Sequence, residues 1–214
     1  MVIKQYNNRM DGLKIFFILI PLSIVCMATE PYTNPQLMDR ITKKYAVFAK
    51  NRFIYLQKTL DSLKDTSDLE KLDGVNRFFN RVRYSSDMKV YKVSDYWATP
   101  WEFLGKDRGD CEDYVISKYF ALEYLGVDPK KLFFTYARSK RFKAAHMVLT
   151  YFKTPTSEPL VLDNINFRIF PASKRKDLIP VYNFNPSSLY GVSKNKKSHK
   201  KWDQLQLNMK REKI

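Results

Sequence analysis

Gly109-Asp110-Cys111-Glu112-Asp113-Tyr114 opens the stretch whose reading decides the fold. Asp110 is a suitable helix N-cap, and Tyr114, Ile116, Phe120, Leu122 and Leu125 supply the apolar residues of a helix over 110–125 that Gly126 closes. Just upstream, Thr99-Pro100-Trp101-Glu102 reads as a capping box with proline at the first helical position, and 106–109 breaks that short helix. After Pro129 the pattern changes from helical to alternating, with strands expected over 132–137, 145–152, 160–163 and 179–184. Further upstream, Asn34-Pro35 begins one long or broken helix carrying Leu37, Ile41, Tyr45, Phe48, Phe53, Leu56, Leu60 and Leu63. Ser67 and Glu70 form a capping box for a second, which turns Leu72, Val75, Phe78 and Phe79 inward. Residues 84–98 show little period and read as extended. Helices first and strands afterward define an α+β domain with an antiparallel sheet.

Composition narrows the functional classes. The 214 residues correspond to one domain with appendages, and 44% hydrophobic with 15% aromatic content is enough for a real core. Only six glycines occur, with no glycine-rich phosphate-binding motif, and two Cys with two His exclude zinc fingers, iron–sulfur clusters and disulfide scaffolds. A net charge of +16 favours an acidic partner, a membrane surface or nucleic acid, without choosing among them.

The first 28 residues read as an address. Lys4, Arg9 and Lys14 precede an apolar run over 15–28, with Cys26 and Ala28 at the small positions of a cleavage site. An uncleaved anchor is the alternative, although the run is short of the ~20 residues that span a bilayer. Export follows, with a domain over 29–192 and a basic tail over 193–214 holding eight Lys or Arg against two acids. Such a tail is read as solvated, or in contact with anionic lipid at a membrane surface. Nucleic acid is not an expected partner, because an exported chain seldom meets it.

Removal of 1–28 leaves Cys111 as the one cysteine, which cannot then form an internal disulfide. It falls in the first turn of a helix, where backbone N–H groups and the dipole favour a thiolate and could receive an oxyanion. A thiol nucleophile needs a base. His199 lies in the basic tail, whereas His146 lies within a strand on the face shared with Val148 and Thr150. Asp163 ends the next strand, beyond a polar loop with two prolines, so an antiparallel pair would bring it across to His146.

Those residues, with 96–104, 146–149, 161–164, 170–173 and 180–185, resemble the bacterial transglutaminase-like cysteine peptidases over roughly residues 35–190. The resemblance implies a papain/transglutaminase-like fold, with Cys111 as nucleophile, His146 as general base and acid, and Asp163 as the orienting carboxylate. It also implies calcium at Asp110 and Glu112, with Asp113 as a further oxygen donor. In chemical terms, three acids within four residues would raise the thiol's pKa, and a hard oxygen-seeking cation would relieve that repulsion. Helix capping is the plainer role for Asp110 and Asp113. Diverging side chains of Asp110 and Glu112 would place the ion behind the catalytic face.

The implied activity is a periplasmic cysteine endopeptidase that cleaves the N-terminal region of a large surface adhesin and so releases cells from a biofilm. An inner-membrane cyclic di-GMP receptor is the implied regulator. Trp101 reads either as an exposed contact for receptor or substrate, or as a buried anchor. Rival readings are a transglutaminase or amidase, which would share the triad, and a non-catalytic calcium-binding adaptor.

Overall fold

The computed structural model describes residues 31–189 and 197–213; the address read over 1–28 lies outside the described residues. Helix α1 (Pro35–Leu63) starts where the Asn34 side chain accepts the Leu37 N–H at 2.8 Å. It is broken at Ala46, whose φ of 67° lies in the left-handed region. The inward stripe of Leu37 and Ile41 resumes at Ala49, Phe53, Leu56 and Leu60. Phe48, read as part of that stripe, is instead exposed, because the break shifts its phase. Helix α2 (Asp68–Phe79) carries the full Ser67–Glu70 capping box and buries Leu72, Val75, Phe78 and Phe79.

The stretch read as extended contains a short helix, α3 (Asp87–Val90). The cause is a buried carboxylate: Asp87 accepts the Tyr96 N–H at 2.5 Å and folds the segment back on itself. Before it, β1 (Arg83–Tyr84) pairs in parallel with β2 (Arg108–Gly109). Helix α4 (Pro100–Lys106) has its Thr99–Glu102 box in place and ends at Asp107, a left-handed residue with φ 54°. Arg52 of α1 donates to the carbonyls of Leu104 and Gly105 at 2.8 and 2.7 Å, satisfying that helix end. Trp101 is buried, its ring 4.9 Å from that of Tyr32. It anchors α4 on the core, which removes the exposed-contact reading.

Helix α5 (Cys111–Tyr124) is central, with nine buried residues spread around its circumference. It packs on β4 of an antiparallel sheet formed by β3 (Leu132–Ser139), β4 (Ala144–Tyr151), β5 (Leu160–Leu162), β6 (Phe170–Pro171) and β7 (Leu178–Phe184), in the order β6-β5-β4-β3-β7. The register sets His146 opposite Ala137, and Leu149 opposite Leu162, so the end of β5 lies near the middle of β4.

The basic tail is not simply solvated. Helix α6 (Lys197–Lys213) buries Trp202, Leu205 and Met209. The Trp202 ring stacks on Phe120 at 5.6 Å and meets Tyr119 and Phe134 edge-on. Lys201 pairs with Asp95, and the Thr99 hydroxyl donates to Glu212. Spacings of three and four residues put the three apolar side chains on one face, and the charges occupy the rest. Trp202→Ala should therefore cost about 3–5 kcal/mol in urea unfolding, as for a core aromatic. A change within about 0.5 kcal/mol would fit a solvated helix.

Candidate active site

Cys111 is the first residue of α5 and lies against β4, beside the Met147 backbone. It shares a cleft of about 510 Å³ with His146, Tyr84, Phe142, Asn164 and Ile165. His146, buried on β4, directs Nε2 to Asp163 Oδ1 at 2.8 Å, leaving Nδ1 as the ring nitrogen not committed to that bond. Asp163 follows β5 immediately, and its Oδ1 also accepts the Ile165 N–H at 3.0 Å. The structure thus brings the three residues singled out as nucleophile, base and orienting acid into one region; His199 stands on α6, a different element.

A residue that sequence reasoning passed over joins this group. Arg175 Nη2 donates to Asp163 Oδ2 at 2.6 Å. Burial would raise the Asp163 carboxyl, but hydrogen bonds and charge from His146, the Ile165 N–H and Arg175 outweigh it and hold the group well below the usual carboxylate range. Asn80, the C-cap of α2, donates to the Asp163 carbonyl at 2.8 Å. Asp163 is therefore held through both carboxylate oxygens and its backbone.

The acids around the thiol have fewer partners. Asp113, fully buried, accepts the Ala98 N–H at 2.9 Å and the Asp110 N–H at 3.2 Å. Its capping role is real. Asp87, another residue missed in the sequence, brings a carboxylate oxygen within 4.8 Å of oxygens from Asp110 and Asp113; Asp110, Cys111 and Glu112 form a second such group. Oδ1 of Asp87 and Oδ1 of Asp110 are buried without a hydrogen bond. Glu112 does not diverge from the nucleophile, because the Cys111 thiol donates to its carboxylate at 2.9 Å. Burial and then the charges of Glu112 and Asp113 push Asp110 up to about 10. Burial and the charges of Glu112 and Asp110 likewise push the Cys111 thiol well up.

Orphaned hard oxygens, crowded carboxylates and repulsion against a thiol are what a divalent cation with oxygen ligands would relieve. Asp87, Asp110 and Asp113, with Glu112 alongside, fit such an ion. Gly109 is required beside it, since a Cβ there would lie 2.3 Å from Asp113 Oδ2 and 2.6 Å from the Phe103 ring.

A helix whose first turn carries a thiol, lying against a sheet that presents a His–Asp pair, defines a thiol hydrolase of papain/transglutaminase-like architecture. Residues 51–178 match the family model of the bacterial transglutaminase-like cysteine proteinases, and the chain belongs to that family. It is similar to Legionella pneumophila LapG, with 41% identity over 83% of this chain and 96% of that one, at a TM-score of 0.70. The calcium-bound Legionella LapG is 38% identical over 81% of this chain and 98% of that one, at a TM-score of 0.69. The EGTA-treated form is 39% identical over 83% and 96%, also at 0.69. The comparison with curated proteins finds no match.

Lys118, seven residues beyond Cys111, is fully buried. Burial pushes its ammonium down to about 7 from an ordinary 10.5, with the charge of Asp163 partly opposing the shift. Between those values the unfolded chain binds more protons than the folded one, so this group's contribution to stability rises with pH. Below about pH 7 the cost of the buried charge is present in full. Lys118→Met, close in volume, should stabilise the protein by about 1–4 kcal/mol at pH 6, with the gain fading toward pH 10. Chemical denaturation across that range checks it; a gain independent of pH would contradict the assignment.

Proposed function

We propose that this protein is a calcium-dependent periplasmic endopeptidase that cleaves the N-terminal region of a large surface adhesin. The observation that carries the proteolytic reading is the thiol of Cys111 seated against β4, in an open cleft shared with the Asp163-bound His146. In this reading His146 takes the thiol proton and Cys111 attacks a peptide carbonyl. N–H groups at the start of α5 receive the oxyanion. His146 then passes the proton to the leaving amine, and the acyl group remains on sulfur as a thioester. Water, deprotonated by His146, attacks the thioester and releases the acid and the free thiol. Asp163 keeps the ring oriented throughout.

A bound calcium ion would neutralise the acids beside the thiol and fix the start of α5. Asp87, Asp110, Asp113 and Glu112 would hold it. The likeness to a relative that is solved both calcium-bound and EGTA-treated supports the choice of ion. The adhesin substrate, biofilm release and an inner-membrane cyclic di-GMP receptor rest on the family resemblance. Lys200, Lys210 and Arg211 lie on the exposed face of α6 and would suit an anionic membrane surface.

A purified N-terminal adhesin fragment tests the activity. Cys111→Ala should lower cleavage by at least ~10³-fold, since triad members act as a unit. Mass spectrometry with a labelled amine present should find hydrolysed ends; amine-capped ends would indicate acyl transfer instead.

EGTA should inactivate the protein and added calcium restore it. Calcium should also raise the melting temperature of the wild type, because an ion bound only to the native state stabilises it. The rise should be smaller in Asp87→Asn. Full cleavage in excess EGTA, without a thermal shift, would reduce the four acids to structural roles.

A further inference from the structure

Arg175 lies in the turn between β6 and β7, yet its side chain is only 2% exposed. Its Nη2 bridges two carboxylates, at 2.6 Å to Asp163 Oδ2 and 2.7 Å to Asp177 Oδ2, while Nε donates to Asp177 Oδ1 at 2.9 Å. The turn that carries it is tied down on both sides. The Arg175 N–H donates to the Ala172 carbonyl at 2.9 Å, and the Arg175 carbonyl accepts the Leu178 N–H at 3.0 Å. The Asp177 carbonyl accepts the Lys140 N–H just past β3 at 2.8 Å.

From this geometry we propose that Arg175 is a positioning residue of the catalytic triad, acting through Asp163 to set the plane of the His146 ring. The inference rests on the triad assignment above. Asp163 Oδ1 faces two donors, the His146 ring and the Ile165 N–H, and these alone leave the carboxylate free to turn about its last torsion. Arg175 holds the second oxygen and fixes the plane. His146 follows, because its Nε2 shares that carboxylate.

Asp177 in turn fixes the guanidinium through a two-point fork, a geometry that the single ammonium of lysine lacks. The chain of contacts runs Asp177, Arg175, Asp163, His146, with the half-exposed Asp177 at its outer end. The other charged group facing Asp163 is the Lys118 ammonium, on α5. It reaches the carboxylate as a nearby charge and contributes no fork.

The experiment measures steady-state cleavage by wild type, Arg175→Met, Arg175→Lys and Asp177→Asn, each checked for a cooperative melt. Arg175→Met should lower kcat by about 10–100-fold, the scale of a small misplacement of a catalytic group, with KM within about twofold. Arg175→Lys should recover little of that loss, and Asp177→Asn should fall between wild type and Arg175→Met. In an Asp163→Asn background, Arg175→Met should have little further effect, since its route of action is already removed.

A spectroscopic readout separates positioning from general stability. The wild type should show a downfield Nε2 proton of His146 by NMR, and that signal should broaden or vanish in Arg175→Met while the rest of the spectrum stays folded. Folded Arg175→Met with kcat within twofold of wild type and an unchanged His146 proton would overturn the proposal. So would a full Arg175→Met loss persisting in the Asp163→Asn background. If Arg175→Met does not fold, Arg175→Lys and Asp177→Asn decide, and wild-type rates in both would overturn it. Failure of the triad reading looks different: Cys111→Ala would still cleave, whatever stands at 175.

Discussion

A buried carboxylate must find partners or lose its charge, and Asp163 is where that constraint organises the molecule. Its side chain is almost wholly inaccessible, and its bonds draw together elements distant in sequence. His146 reaches it from β4, Ile165 from the turn after β5, Arg175 from the turn before β7, and Asn80 from the end of α2 through the carbonyl. The His146 ring takes its one side-chain partner from Asp163, and Arg175 is shared between Asp163 and Asp177. The carboxylate thus fixes the sheet register near the site and the direction of the imidazole by the same contacts.

The start of α5 obeys the opposite rule. There Asp87, Asp110, Asp113 and Glu112 crowd one thiol, and buried oxygens on two of the acids lack a donor from the chain. At Asp163 the protein supplies its own positive and polar partners; at the thiol, in the proposed reading, that demand would fall to a bound cation. This contrast gives the site its division of labour. In the proposed reading one acidic node orients the base, while the other would tie the state of the nucleophile to a bound cation.

Much of this was legible in the sequence, because local rules and global fold agree there. The boxes at Ser67–Glu70 and Thr99–Glu102 fix helix starts through adjacent residues, and both stand in the structure. His146 and Asp163 could be paired because a hairpin joins their strands. Asp87 and Arg175 could not be read in the same way. Each lies in an aperiodic stretch, and only tertiary folding carries it to its partners. The α6 helix was obscured for another reason. Trp202, Leu205 and Met209 form a helical stripe, but it is narrow and surrounded by lysines, so charge dominated the reading. The stripe was the better guide, as it was not for Phe48, whose phase a single left-handed residue at Ala46 changed.

The proposed chemistry turns on a thiol that carries the acyl group while His146 moves protons. Acid-quench mass spectrometry of the calcium-loaded protein with a slowly turning-over peptide ester tests that claim most directly. It should reveal an acyl adduct on the peptide containing Cys111 in the wild type, and no adduct in His146→Ala. Turnover without any adduct on Cys111, or an adduct forming equally well without His146, would contradict it.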